Sequence, residues 1–61
     1  MKLTLKQARE KRNLTQREVS DITGTSITAL SKWENNRTYP IATELKKLLD
    51  IYQVKFEDIE F

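Results

Sequence analysis

The residues whose types and spacing suit a chemical task lie between positions 26 and 38. On a helix that starts after Ser26, the side chains of Ser26, Ile27, Thr28, Ser31 and Lys32 gather on one outer face, since positions three and four apart are helical neighbours. That face offers hydroxyls, an aliphatic branch and one ammonium. Such a set recognises by hydrogen bonding, methyl contact and charge, and forms no covalent bond. In this company Lys32 is a candidate for guanine O6/N7 or for a phosphate. Ile27, placed just after a cap, reads as a contact to a thymine methyl, as a contact to a partner protein, or as plain exposure.

Catalysis has little to work with. The 61 residues contain no cysteine and no histidine, which removes disulfides, thiolate nucleophiles, Cys/His zinc sites and Ser-His or Cys-His pairs. The carboxylates fall on helix faces expected to be solvated, without a set of metal ligands among them. The expectation is therefore a protein that is not an enzyme and takes no cofactor and no metal. No apolar run approaches the ~18 residues needed to span a bilayer, and no signal-like core follows Lys2, so the expected compartment is cytoplasmic, with no membrane partner.

The elements that must position the face follow from local chemistry. Thr4-Leu5-Lys6-Gln7 and Thr15-Gln16-Arg17-Glu18 both have the form of a capping box and predict helix starts after Thr4 and Thr15. Asn13 and Gly24 are the matching stops, with Leu14 dropping into the core between the two helices. Leu5 and Ala8 are the apolar positions of the first helix, Val19 and Ile22 those of the second. Ser26 caps a third helix whose inner side is Ala29, Leu30 and Trp33, ended by Asn35-Asn36. After Pro40, the spacing of Leu45, Leu48, Leu49 and Tyr52 predicts an amphipathic fourth helix. A final short turn from Val54 folds Phe56, Ile59 and Phe61 back on the core. The turn through Gly24 then sets helices two and three at ~90 to 120°, so that the third projects from the body.

One small domain, residues 1–61, accommodates all of this, with 38% apolar and 33% charged residues. At this length a core is marginal, and helix packing, self-association or both must support it. The formal net charge is +2, unevenly spread: positions 1–40 hold eight Lys/Arg against four Asp/Glu, and positions 41–61 hold three against five. A basic first part suits a polyanion, and an acidic second part suits another task.

The sequence resembles the helix-turn-helix domains of the lambda repressor, Cro and Xre family. The likeness rests on Leu14-Thr15-Gln16, on Ser20 and Gly24 within the two-helix unit, on Leu30-Ser31-Lys32-Trp33-Glu34 and on Pro40. It spans nearly the whole chain. It implies an all-α fold, a compact five-helix bundle of lambda-repressor-like helix-turn-helix type. It further implies a small transcriptional repressor or regulator that binds a double-stranded DNA operator as a homodimer, with a recognition helix at about 26–34 in the major groove. Carried over by position, base contacts fall to Ser26, Ile27, Thr28 and Lys32, and phosphate contacts to Gln16, Asn35, Arg37 and Thr38. Arg9 and Glu34 match an internal ion pair. Gln16 also stands in the first turn of a helix, where free N–H groups and the dipole favour an anion. The chain departs from the family pattern at Thr23 and Thr25, where aliphatic residues are commoner, at Asn36 in place of Gly, and at Ile41 in place of a capping Ser.

Two rival readings share these residues. An antitoxin of helix-turn-helix type would bind a toxin as well as DNA. A protein-interaction bundle would use Ile27, Tyr39, Phe56 and Phe61 as a docking patch. Dimerisation is expected through Phe56 and Phe61, with the loop 37–41 as the competing surface.

Overall fold

Two reciprocal caps fix where the chain turns helical. In the computed structural model, which describes residues 2–60, Thr4 Oγ1 accepts from the Gln7 N–H (3.1 Å) while Gln7 Oε1 accepts from the Thr4 N–H (3.0 Å). This starts α1 (Leu5–Lys11). The same exchange between Thr15 and Glu18, at 3.1 and 3.0 Å, starts α2 (Gln16–Thr23). Ser26 Oγ accepts from the Ala29 N–H (3.1 Å) and starts α3 (Ile27–Glu34). The fourth helix, α4 (Ala42–Tyr52), begins differently: Ile41 occupies the cap with extended backbone and supplies no side-chain hydrogen bond.

Left-handed residues stand at or just beyond each helix end. Asn13 and Asn36 have φ 58°, Gly24 φ 76° and Gln53 φ 56°. Asn pays little for this conformation because its short polar side chain bonds locally, and Gly has no Cβ to clash. Gln53 has neither advantage, so its conformation is imposed by the burial of Tyr52 before it and the packing of Val54 after it.

The core draws on every helix. Leu5 and Ala8 from α1, Val19 from α2, Leu30 from α3, Leu48 and Tyr52 from α4, and Ile59 are all buried. Trp33, Leu14, Leu45, Leu49 and Val54 pack around them, partly buried. Val19 of α2 and Leu30 of α3 are 0% and 2% exposed and belong to the same core.

Three expectations are corrected. There are four α-helices among the described residues, and the anticipated fifth is a 3-10 turn (Phe56–Asp58). Ile59 leaves that turn in extended conformation and forms a parallel bridge with Leu3. The Leu3 N–H donates to the Asp58 carbonyl and the Glu60 N–H to the Leu3 carbonyl, each at 2.8 Å. A helix continued through Ile59 would forfeit both bonds. Phe56 does not fold back: it is 62% exposed, and Ile59 takes the inward place, while Phe61 lies outside the described residues. Ile22 is 61% exposed, whereas Thr23, one position on, is partly buried and donates its hydroxyl to the Val19 carbonyl of its own helix (2.8 Å). No helix among the described residues is long and apolar enough to cross a membrane.

Candidate nucleic-acid interface

Three residues, Gly24, Thr25 and Ser26, join α2 to α3. The Gly24 N–H closes the last turn of α2 on the Ser20 carbonyl (2.8 Å). A Cβ built on Gly24 would meet nothing within 4 Å, so glycine serves here through its positive φ and not through a close approach. Thr23 Oγ1, besides donating to Val19, accepts from the Thr25 N–H (3.1 Å).

This turn leaves the outer face of α3 uncovered. Between it and the start of α2 lies an open concavity of about 510 Å³, lined by Gln16, Ile27, Thr28, Ser31, Lys32, Asn35 and Arg37. Ile27, Ser31 and Asn35 form one i, i+4, i+8 row, and Thr28 and Lys32 the row beside it. Both charged side chains in the lining are cationic. Six of the eight residues assigned to DNA contact are thus brought to one surface. Ser26 and Thr38 are exposed but are not part of the lining. Ser31, to which the resemblance carries no contact, also lines the concavity, one turn from both Ile27 and Asn35.

Two of the assigned phosphate donors are already engaged. Asn35 Nδ2 turns back to the Ser31 carbonyl (2.9 Å) and lies 3.4 Å from Ser31 Oγ. Gln16 Nε2 donates to Glu34 Oε1 (3.0 Å), which leaves one amide hydrogen for another acceptor. Arg37 is held by its backbone, whose N–H reaches the Lys32 carbonyl (2.9 Å) and folds the loop against the end of α3.

Beneath the concavity, Arg9 and Glu34 meet in a two-pronged contact, Nε to Oε2 at 2.8 Å and Nη2 to Oε1 at 3.3 Å. Their side chains are 11% and 5% exposed. Arg9 Nη1 also donates to the Leu14 carbonyl (2.6 Å), so one guanidinium ties α1, the link to α2 and the end of α3 together. The hydrogen bond to Glu34 raises the Arg9 pKa above its ordinary value against the opposing pull of burial. Nearby, burial and then the charge of Glu34 push the Tyr52 hydroxyl up to about 12, with Arg9 opposing. No group of three or more His, Cys, Asp or Glu suited to a metal ion occurs among the described residues.

A hydrogen-bonded two-helix unit with an open third-helix face defines a class, and comparison with known proteins gives the same class. A family model described as Helix-turn-helix matches residues 5–59, and the chain belongs to that family, of the Xre and lambda-repressor type. The chain is 34% identical over 55 residues to the HTH-type transcriptional activator BcrR of Enterococcus faecalis, a match covering 90% of this chain and 27% of that protein. It therefore spans about a quarter of that relative's length. No solved structure matches the chain.

Proposed function

We propose that this domain binds duplex DNA sequence-specifically and regulates transcription, with α3 lying in the major groove. The observation that carries the reading is the concave face of α3, where hydroxyl, aliphatic and amide groups share one lining with the cations Lys32 and Arg37. With its side chains an α-helix such as α3 is ~10 to 12 Å across, which suits a major groove ~12 Å wide. In this arrangement Ser26, Ile27, Thr28 and Lys32 meet base edges, joined by Ser31. Arg37, Thr38, Asn35 and the spare amide hydrogen of Gln16 meet phosphates, which position the domain without reading sequence. The family membership and a relative named as a transcriptional activator support a regulatory role.

The domain measures 28 × 23 × 19 Å, shorter in every direction than the ~34 Å between successive major grooves on one side of the duplex. A homodimer reading two half-sites fits those dimensions. The test is selection of oligonucleotides by the purified chain, followed by titration of the selected site at rising salt. Neutralising ~6 to 10 phosphates per dimer predicts a fall of ~10³ to 10⁵ in affinity between 50 and 200 mM salt. Arg37→Ala is expected to weaken all sequences alike, and Lys32→Ala to reorder operator variants. No enriched site, or a flat salt response, overturns the reading.

A further inference from the structure

The turn between α2 and α3 is tied to α4 by a polar contact: Thr25 Oγ1 donates to Glu44 Oε2 at 2.9 Å. Both residues are partly buried and nineteen positions apart in sequence. Glu44 has an unusual opportunity. It is the third residue of α4, the place from which Gln7 and Glu18 reach back to cap α1 and α2. The residue at the head of α4 is Ile41, which has no hydroxyl to complete such an exchange, and no side-chain cap forms. The Glu44 carboxylate is directed elsewhere, with Oε2 on Thr25 and Oε1 3.6 Å from Lys47 Nζ.

On the turn side, the same threonine is fixed twice. Its N–H is held by Thr23 Oγ1, which itself donates to the Val19 carbonyl. A continuous chain of hydrogen bonds therefore runs from the buried middle of α2, through Thr23 and Thr25, to the first turn of α4. Its last link is next to Ser26, the cap of α3. We infer that Thr25 and Glu44 form a polar latch that sets the direction of α3, making them positioning residues for DNA recognition.

A latch of this kind has a defined consequence. A hydrogen bond to a carboxylate is directional, whereas aliphatic packing at positions 23 and 25 would constrain the turn by volume alone. Losing the latch lets α3 tilt about its far end, where Glu34 remains anchored to Arg9. Side chains near the start of α3, Ile27 and Thr28, then move further than Lys32 does. Discrimination among base pairs read by the start of the helix falls first, with phosphate affinity little altered.

The inference rests on the proposed DNA reading for its functional part only, and the experiment separates the two. Thr25→Val, Thr25→Ser and Glu44→Gln are compared with wild type. Residual dipolar couplings of the α3 amides report its orientation without DNA, and oligonucleotide selection reports discrimination. Thr25→Val is expected to rotate the α3 couplings as a block and to reduce discrimination by about two- to tenfold, the net range of one ordinary hydrogen bond. Thr25→Ser, which keeps the donor, and Glu44→Gln, which keeps an acceptor, restore both. Rotated couplings in a chain that selects no DNA would uphold the latch and refute the DNA reading. Unchanged couplings and ranking in Thr25→Val, or a loss that Thr25→Ser does not restore, overturn the latch.

Discussion

The two ends of α3 are held by different physics. At its C-terminal end, Glu34 is nearly inaccessible, 5% exposed, and receives hydrogen bonds from both Arg9 and Gln16. At its start, the hold consists of one cap from Ser26 and one hydroxyl-to-carboxylate bond from the neighbouring Thr25, both nearer to solvent. A buried charge has no water to fall back on, so its partners are obligatory, whereas an exposed cap competes with solvent and contributes less. The difference makes α3 a lever with a firm base and an adjustable tip.

The largest expected effect is at the base. Glu34→Ala leaves Arg9 unpaired in a partly buried setting and releases Gln16, and is expected to cost about 3 to 5 kcal/mol in urea unfolding. A cost below that of a tip substitution would reverse the comparison. Next comes pH. Tyr52 binds its proton more tightly in the folded state than when unfolded, where the ordinary value is near 10. Stability is therefore full below pH 10 and falls between pH 10 and about 12, as the unfolded chain ionises first. At about 1.4 kcal/mol per tenfold change in proton affinity the fall amounts to about 2 to 3 kcal/mol. Tyr52→Phe is expected to lack this component, which thermal melts across that range will detect.

Effects near the tip are smaller. Gly24→Val places a β-branched residue at φ 76° with no crowding to relieve, so only conformational strain of about 1 to 3 kcal/mol is expected. Ser26→Ala removes the cap and is expected to cost about 1 kcal/mol in the same unfolding assay. Should Ser26→Ala match Glu34→Ala, both ends would be equally firm and the lever description would fail.

What was legible in the sequence follows the range of the interaction. The caps at Thr4, Thr15 and Ser26 and the stops at Asn13, Gly24 and Asn36 depend on side chains acting within three or four residues, so their chemistry is visible in a short window. The stop at Gln53 depends on tertiary packing, and glutamine carries no local sign of it. Apolar type predicts burial on average and so points to Ile22 and Phe56, while the fold buries Ile59 and leaves Ile22 and Phe56 exposed. At the candidate interface, helical spacing brought Ile27, Thr28 and Lys32 together. The Gln16 link to Glu34 and the Thr25 link to Glu44 join residues eighteen and nineteen apart, and no local window contains them.

The pairing of Leu3 with Ile59 has a kinetic consequence. Each of the helices closes on residues near in sequence, on a timescale of microseconds or less, whereas this bridge joins segments from opposite ends of the described chain. Closing so long a loop costs about 3 to 4 kcal/mol of chain entropy unless the intervening helices have already packed. The bridge is therefore expected to close after the helices have begun to pack. Its two amides, Leu3 and Glu60, are expected to exchange with solvent through a partial opening that leaves Val19 and Leu30 protected, so the opening expected to be easiest lies away from α3.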